Sequence, residues 1–547
     1  MIKYNKYYQT RVTPQSEPIP GSNQVQNSAG GYSWAVDDWK RLDRFLILGS
    51  EGGSYYASER ALTRGNAQAV ERCIKEDGKR VVTRIVEISE AGRAPKNSPA
   101  LFALAMVIGM GDKEAQKAGM EAIPKVARTG THLFELVEYI QSFRGWGRGL
   151  RKAIAKWYNQ KDPDTLVYQL LKYRQREGWS HRDILRLAHP EPASKVHDCL
   201  YRYVVSSDFG EREVKRRDKT VKYPALPVEL LPPLVKDFEE IQAATKKSKV
   251  IEIIKKNRSI TWEMIPTQFL ASPAVWKALL PHLPMTALLR NLGRMTANET
   301  LKPLSEEVKL VCSKLTNEEF IRKARIHPLS VLVALKTYSS GGGVKGSLRW
   351  HPISQILDAL DKAFYLAFGN VVPTGKRWIL ALDVSGSMTG PDIAGMPGIS
   401  PRVGSAAMAL ITAAVEPNYA IMAFSREFIP VSISPRERLD DVVRRISQLP
   451  YGDTDCSIPM IWALDHKIEV DIFVVYTDSE TWCGNIHPAQ ALQEYRRKMG
   501  IPAKLVVVGM VSNGFSIADP NDAGMLDVVG FDTATPNLIS DFAVENI

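Results

Sequence analysis

The sequence contains few cysteines and no paired cysteine motif. Five cysteines are scattered along 547 residues without a CxxC pair: Cys73, Cys199, Cys312, Cys456 and Cys483. This spacing indicates neither a zinc knuckle nor a disulfide framework. We therefore expect reduced, buried thiols in a cytoplasmic protein.

Long apolar runs are absent as well. No stretch approaches the ~18 consecutive apolar residues of a membrane-spanning helix. The first residues, MIKYNKYYQTR, are polar and aromatic and lack the apolar core of a secretion signal. We expect neither a membrane segment nor a leader, and we expect the protein to stay in the cytoplasm.

The sequence shows no complete catalytic motif. GNVVPTGKR and GGGVKGS are near misses for a phosphate-binding P-loop, because they lack its spacing and its Lys-Ser/Thr pair. No GxSxG elbow, HExxH helix or cysteine–histidine nucleophile stands out. We expect that the protein is not an enzyme.

Charge is present in quantity and is unevenly distributed. The net charge is +11, yet residues 371–547 hold 13 Lys and Arg against 21 Asp and Glu, which leaves 58 against 39, or +19, in residues 1–370. A basic body joined to an acidic end suggests that one domain alone binds a polyanion. A lysine-rich solvated helical surface is the alternative.

The chain divides into three parts by composition. Residues 1–35 are rich in Gln, Ser, Asn, Pro and Gly and predict an extended N-terminal arm. Residues 36–370 carry apolar residues at helical spacing, as in SPALFALAMVIGM and AVWKALLPHLPMTALLRNLGRM. Their spacing predicts antiparallel helix pairs that stack as in HEAT or armadillo solenoids.

Residues 371–547 alternate short apolar runs with amphipathic stretches. The runs are WILALDV (378–384), YAIMAF (419–424), VDIFVVYTD (470–478) and AKLVVVGM (503–510). Runs of this kind are typical of buried parallel strands, and their alternation with helices predicts a doubly wound α/β domain. Binding sites in such domains lie at the carboxyl ends of the strands.

Oxygen-bearing side chains follow three of these segments. Asp383, Ser385 and Ser387 stand at alternate positions after the first run, Thr454 lies in YGDTDCS, and Asp478 ends the third run. Carboxylate and hydroxyl oxygens suit a hard divalent cation, and we expect Mg²⁺. The alternative is that Ser385 and Ser387 only cap the next helix.

This residue set resembles the metal-ion-dependent adhesion site of von Willebrand factor A domains. The family pattern is D-x-S-x-S followed by a Thr and then an Asp, and all five positions match. The resemblance implies a cation with one position open to an acidic group of a partner. Asp453 departs from the pattern, because the family commonly has a small residue beside the Thr.

A second resemblance covers nearly the whole chain. The strings that carry it, in order, include FLILGSEGGSYY, GWGRGLRKAIAKWYN, REGWSHRDILRLAHP, LLRNLGRMTAN, KARIHP, PTGKR, GDTDCSIPMIWA and SNGFSIADP. They resemble the Ro ribonucleoprotein family, also called the TROVE family. The resemblance implies a mainly α protein, with a ring of HEAT-like repeats (36–370, the TROVE RNA-binding domain) closed against a von Willebrand A domain (371–547).

The same resemblance implies partners. Family members bind small noncoding Y RNAs on a basic outer surface and hold single-stranded 3′ ends of misfolded RNAs in a central hole, in noncoding RNA quality control and decay. Bacterial members work with exoribonucleases such as polynucleotide phosphorylase. We expect a monomer that does not contact membranes.

Two basic stretches supply candidate RNA contacts. By resemblance Lys172, Arg176 and His189 fall at family RNA-contact positions, and Arg174, Arg148, Arg151 and Lys152 add charge. Tyr173, Trp146, Trp157 and Trp179 lie among these cations, and phosphate neutralisation beside stacking surfaces is typical of RNA binding. We expect Trp146 and Trp157 to be core residues. A lone His189 would otherwise be a core or capping residue.

Some roles stay open at the level of sequence. Arg290, Lys323, Arg325 and His327 lie in other family strings, where they either line the hole or form ion pairs. An adhesion or scaffold protein without a direct RNA role is an alternative function. A metal-dependent nuclease is another, although the cation loop has few carboxylates and no evident general base.

Overall fold

The computed structural model describes residues 12–545 except 207–209, 217–218, 224, 344–345, 370, 435, 451 and 533. Two compact units form. One contains Ile74–Glu90 and Asn97–Val311, and the other contains the described parts of Met1–Cys73, Ala91–Lys96 and Cys312–Ile547. Residues 1–11 of the predicted arm lie outside the described residues.

The chain up to residue 367 is mostly helical. Its helices are α1 (Asp38–Leu48), α2 (Glu59–Ala91), α3 (Ser98–Met110), α4 (Lys113–Val126), α5 (Gly130–Phe143), α6 (Arg148–Asn159), α7 (Pro163–Lys172), α8 (His181–Ala188), α9 (Lys195–Ser206), α10 (Pro233–Gln242), α11 (Lys247–Lys256), α12 (Pro273–Leu279), α13 (Met285–Ala297), α14 (Glu306–Leu315), α15 (Glu318–Lys323), α16 (Pro328–Ser339) and α17 (Ser354–Ala367). Its strands are β1 (Val25–Gln26), β2 (Tyr32–Ala35), β3 (Gln175–Arg176), β4 (Trp179–Ser180), β5 (Arg212–Arg216) and β6 (Lys219–Tyr223).

Helices that lie close to one another in the chain, next to each other or two apart, pack together. In the first unit α3 packs on α4 and α5, α4 packs on α6, and α6 packs on α8. Local capping residues set where some of the helices begin. Asp112 before α4 and Asp162 before α7 accept hydrogen bonds from the backbone N–H groups of Ala115 and Thr165. Each helix buries its apolar face mainly against its neighbours, as expected for stacked helix pairs.

The C-terminal part is an α/β domain. Its strands are β7 (Arg377–Asp383), β8 (Asn418–Phe424), β9 (Phe428–Pro430), β10 (Ile472–Thr477), β11 (Lys504–Gly509), β12 (Phe515–Ser516) and β13 (Met525–Val529). Its helices are α18 (Pro401–Val415), α19 (Leu439–Ser447), α20 (Ile458–Asp465), α21 (Pro488–Met499) and α22 (Ala534–Ala543).

Six of these strands form one sheet in the order β13-β11-β10-β7-β8-β9. All pairs are parallel except β8 with β9. The four predicted apolar runs correspond to β7, β8, β10 and β11, which confirms that part of the prediction. From β7 the chain continues to β8 on one side, while β10 pairs on the other side, so the order reverses between β7 and β10.

The N-terminal segment contributes to the same unit. Strand β2 pairs with β1 and with β12, both antiparallel, in a three-stranded sheet. Trp34 and Ile19 are buried in the apolar cluster that includes Phe473 and Leu505 of the central sheet. The segment before α1 is therefore packed on the α/β domain, and the division of the chain at residues 35 and 370 stays a prediction.

The mainly α class with a C-terminal α/β domain is confirmed. In the part of the chain that the structure describes, no helix has both the length and the apolar character that a membrane crossing needs.

Candidate cation site and candidate nucleic-acid interface

Asp383 lies at the carboxyl end of β7, beside the end of β10. Its carboxylate is fully buried, and it accepts hydrogen bonds from the backbone N–H of Ser385 at 2.9 Å and from the Thr477 hydroxyl at 2.6 Å. The hydroxyls of Ser385 and Ser387 lie 3.0 Å apart. The predicted pattern of alternating residues thus brings three side chains to one point at the reversal of strand order.

Backbone hydrogen bonds join the other two predicted loops to this one. The N–H of Gly386 donates to the carbonyl of Gly452, two residues before Thr454, at 3.3 Å. The Thr454 carbonyl in turn accepts from the N–H of Trp482 at 3.1 Å, in the loop that begins with Asp478. Thr454 and Asp478 are each at most 4 % exposed. The three predicted loops therefore form one buried cluster.

The electrostatics of this cluster favour a cation. Burial raises the pKa of Asp383, against the opposing effect of hydrogen bonds from Ser385 and Thr477. Burial, followed by repulsion from Asp383 and Glu480, raises the pKa of Asp478 to about 8. Neither Asp383 nor Asp478 forms an ion pair with a described residue. Adjacent buried carboxylates without such a partner are costly, and a bound cation would remove that cost.

Sequence reasoning missed three residues of this cluster. Thr477 bonds to Asp383, and the buried carboxylate of Glu480 lies close enough to repel Asp478. The Tyr56 hydroxyl has a pKa above its usual range because of burial, then of Asp478 and Glu480, while a hydrogen bond with Ser387 opposes the rise. Thr477 and Glu480 flank Asp478 in sequence, which is a usable signal. Tyr56 is remote in sequence from the three loops, and the sequence gave no signal that it would join them.

Two doubts raised by the sequence are resolved by contacts. Ser385 precedes the short 3-10 turn Gly386–Thr389 but makes no side-chain capping hydrogen bond, and Ser400 caps the next helix, α18. The capping alternative is therefore wrong for Ser385. Asp453 forms an ion pair with Arg426, so its extra charge is neutralised locally.

The donor set fits a hard divalent cation. It consists of two carboxylates and three hydroxyl-bearing side chains, and oxygen ligands of this kind suit Mg²⁺ better than soft metals. The hydroxyl of buried Ser479, next to Asp478, has no hydrogen-bond partner among the residues that the structure describes. Among the described residues no group of three or more His, Cys, Asp or Glu side chains is placed to hold a metal ion.

The predicted basic residues lie on neighbouring elements of the helical unit. We call them the basic surface: Lys172 at the end of α7, Arg174 and Arg176 before and in β3, His189 after α8, and Arg148, Arg151 and Lys152 in α6. All are exposed except Lys172, which is half-buried. Within the described residues only Arg176 forms an ion pair, with Glu177 at 3.1 Å. Lys172 donates a hydrogen bond to the Tyr168 hydroxyl at 3.0 Å, and the remaining basic side chains of the set have no ion pair among the described residues.

A tight hairpin presents Arg176. Strands β3 and β4 are joined by two residues, Glu177 and Gly178, with φ of 51° and 75°. Positive φ at both positions is the signature of a type I′ turn, which glycine accepts readily and glutamate does not. The turn places Arg176 opposite Trp179.

Aromatic side chains accompany the cations. The Lys172 ammonium lies 5.1 Å from the ring centres of both Tyr168 and Tyr173. The rings of Trp146 and Trp179 are 6.5 Å apart, which connects the start of α6 with the β3–β4 hairpin. Trp157 is fully buried, as predicted, whereas Trp146 is half-buried, so its classification as a core residue holds only in part.

Two histidines have clear structural positions. His189 ends α8 with φ of 47°, and its N–H donates to the Leu185 carbonyl at 3.0 Å. It is thus a helix cap whose ring is exposed. His327 caps α16, is buried, and interacts with the carbonyl of Arg93 at 3.1 Å. A packing role therefore accounts for His327.

A cavity opens beside the hairpin. Its volume is ≈ 640 Å³, and Arg174, Gln175, Arg182, Phe238 and Glu239 are among its lining residues. The Arg174 guanidinium lies 5.6 Å from the ring centre of Phe238. The basic surface is thus continuous with a concave, partly aromatic feature.

Comparison with known families matches both parts of the chain. The TROVE domain model matches residues 25–340, and the Ro60 vWA domain model matches residues 377–543. The chain belongs to the Ro60 family. The predicted resemblance is thereby confirmed.

Individual relatives cover almost the full length. "RNA-binding protein RO60" of Deinococcus radiodurans is 38 % identical over 532 residues, 97 % of each chain. The protein of the same name from Caenorhabditis elegans is 36 % identical over 600 residues, 98 % of this chain and 92 % of its own. The crystal structure of Deinococcus radiodurans RO (RSR) protein matches with a TM-score of 0.69 at 37 % identity, covering 93 % of this chain and 100 % of that one.

Proposed function

We propose that this chain is an RNA-binding protein whose basic surface contacts structured RNA. The supporting observation is a set of basic side chains at the predicted positions that are exposed, apart from half-buried Lys172, and that lack ion pairs within the described residues, apart from Arg176. Relatives named as RNA-binding proteins span nearly the whole chain. Exposed lysines and arginines neutralise phosphates, and nearby aromatic rings offer stacking surfaces.

The test is a salt titration of binding to a structured RNA hairpin with a single-stranded tail. The double variant Lys172→Ala/Arg176→Ala should bind more weakly, and the slope of log affinity against log salt should fall by roughly one for each lost phosphate contact. The matched control is Lys255→Ala/Lys256→Ala, which removes the same charge from exposed positions at the end of α11. Unchanged affinity and slope in the first variant would place the RNA elsewhere.

We infer a finer function from the family resemblance. The RNAs are small noncoding Y-type RNAs on the outer basic surface, and misfolded RNAs whose 3′ ends enter a central opening, for quality control and decay. An exoribonuclease such as polynucleotide phosphorylase acts with the protein, which works as a cytoplasmic monomer. Sequencing the RNA that co-purifies with the protein from its own cells is the direct test.

We also propose that the buried oxygen cluster holds Mg²⁺. Asp383, Ser385, Ser387, Thr454 and Asp478 would hold the ion directly or through water. The ion would supply positive charge that neutralises the two buried carboxylates. The chain's own hydrogen bonds to Asp383 and Asp478 keep both carboxylates in place.

A further inference from the structure

Residues 13–35, here called the N-terminal clamp, form hydrogen bonds with two loops of the candidate cation site. Gln15 is fully buried, and its N–H donates to the Gly484 carbonyl at 2.9 Å. Its side-chain amide donates to Asp455 Oδ1 at 2.7 Å and to the Ile486 carbonyl at 2.8 Å. Its side-chain oxygen accepts a hydrogen bond from the Thr481 hydroxyl. All the polar groups of the Gln15 side chain thus point into these loops.

Gln15 forms hydrogen bonds with two residues that lie beside Thr454, namely Asp455 and Thr481. Asp455 follows Thr454 directly in the chain. The Thr481 hydroxyl contacts the Thr454 carbonyl at 3.3 Å and accepts from the Cys456 N–H at 3.1 Å. The position of the Thr454 backbone therefore depends on the same network that holds Gln15.

A second group of clamp residues fixes the loop after Asp478. The N–H of Ser28 donates to Glu480 at 2.7 Å, and the hydroxyl of Ser33 donates to the Ser479 carbonyl at 3.1 Å. Ser479 has φ of 63°, a conformation that costs a residue with a side chain roughly 1 kcal/mol or more. Such a conformation persists where surrounding contacts impose it, and the clamp supplies part of them, beside the hydrogen bond from the Ser479 N–H to the Thr477 hydroxyl.

The clamp and the loops are in close backbone contact. A Cβ atom at Gly31 would lie 2.2 Å from the Thr481 carbonyl oxygen, and one at Gly484 would lie 2.2 Å from Gln15 Nε2. Only glycine allows these approaches. The loops cannot shift without displacing the clamp, and the reverse also holds.

We propose that the N-terminal clamp is a positioning part of the cation site, so that cation binding and clamp docking stabilise one another. Gln15 is its central positioning residue. The inference rests on the proposed cation site and adds the dependence of that site on residues more than three hundred positions away. Coupling between two binding events is reciprocal, so each should be measurable through the other.

The first experiment measures cation affinity in the full chain by Mn²⁺ titration with electron paramagnetic resonance detection. Gln15→Ala should bind Mn²⁺ roughly 10-fold more weakly, the lower end of the loss seen for residues that orient metal ligands, because Gln15 reaches Thr454 only through Asp455 and Thr481. Gln26→Ala is the matched control, because Gln26 lies in the same segment and is exposed, and its side chain donates to the Gly30 carbonyl and to no other described residue. It should bind like the wild type. Equal affinity of all three proteins would overturn the proposal.

The second experiment uses the unmutated clamp and so does not depend on the folding of Gln15→Ala. Hydrogen exchange of residues 13–35 should slow when Mg²⁺ is added to the wild type, and should not respond to Mg²⁺ in Asp383→Ala. If the wild type binds Mn²⁺ in an Asp383-dependent way but exchange in the clamp is unchanged, the coupling is absent and the cation site stands. If the wild type binds no Mn²⁺, the cation site itself is refuted.

Discussion

Asp383 shows at the scale of one residue what the proposed cation does. Its buried carboxylate repels that of Asp478. Removing one charge should therefore stabilise the cation-free protein and destabilise the cation-bound protein. Asp383→Asn keeps the shape of the side chain. Without Mg²⁺ its melting temperature should equal or exceed that of the wild type.

With saturating Mg²⁺ the order should reverse, because the wild type gains binding energy that the variant lacks. Thermal unfolding with and without Mg²⁺ measures both differences. Asp541→Asn, on the last helix, is the charge-matched control and should respond to Mg²⁺ as the wild type does. A wild type with the same melting temperature in both conditions contradicts this prediction.

His181 gives a pH dependence at the same scale. The ring is buried, its Nδ1 lies 2.8 Å from the Tyr158 hydroxyl, and burial lowers its pKa to about 3. Between pH ~6.5 and ~3 the unfolded chain therefore binds a proton that the folded chain does not. This contribution to stability is complete above pH ~6.5 and is lost as the pH falls.

The expected loss is about 1.4 kcal/mol per pH unit for this histidine. In His181→Gln the urea midpoint should fall less steeply from pH 6.5 to 4.5 than in the wild type. His189→Gln, which removes an exposed histidine, should follow the wild-type curve. Parallel curves of urea midpoint against pH for the wild type and His181→Gln would show that this ring does not cause the loss of stability at low pH.

At the scale of an element, the turn of the β3–β4 hairpin has a backbone conformation that its first residue, Glu177, does not favour. Glu177 occupies the first positive-φ position of the turn and pairs with Arg176. Asn-Gly is the preferred sequence for this turn, so Glu177→Asn should stabilise the hairpin and free Arg176 for phosphate. The affinity of Glu177→Asn for the structured RNA with a single-stranded tail should rise several-fold at low salt. Its slope of log affinity against log salt should be steeper than that of the wild type.

Fluorescence anisotropy with labelled RNA measures the effect of Glu177→Asn. Glu191→Asn, an exposed glutamate in the loop after α8, controls for the loss of a negative charge alone. A gain of the same size in both variants would mean that net charge, and not the hairpin, is responsible.

At the scale of the whole molecule, charge asymmetry and the proposed opening together predict a preference among RNAs. Residues 1–370 carry a net charge of +19, which attracts a polyanion. An opening wide enough for one strand excludes an A-form duplex, so a hairpin with a single-stranded 3′ tail should bind more tightly than the same hairpin trimmed flush. Competition binding at fixed salt measures the difference, and equal affinities would remove the basis for threading.

Much of this architecture could be predicted from the sequence because it depends on the local pattern of apolar residues. The four apolar runs of the α/β domain predicted β7, β8, β10 and β11, since continuous burial on both faces leaves a continuous apolar signal. Strands β9 and β13 were missed because they are short and only partly buried. The proximity of Asp383, Ser385 and Ser387 was predictable in the same way, because these alternate residues directly follow a strand end.

The sequence by itself determined the helical body, the α/β domain, the uneven charge and the residue types of the candidate site. Only the tertiary structure decided that Gln15 bonds to Asp455 and Thr481, that Tyr56 lies beside Ser387, and that β2 pairs with β12. These contacts join residues hundreds of positions apart. Local periodicity reports which face of an element is buried but not what covers it, so such contacts arise only when the distant elements fold together.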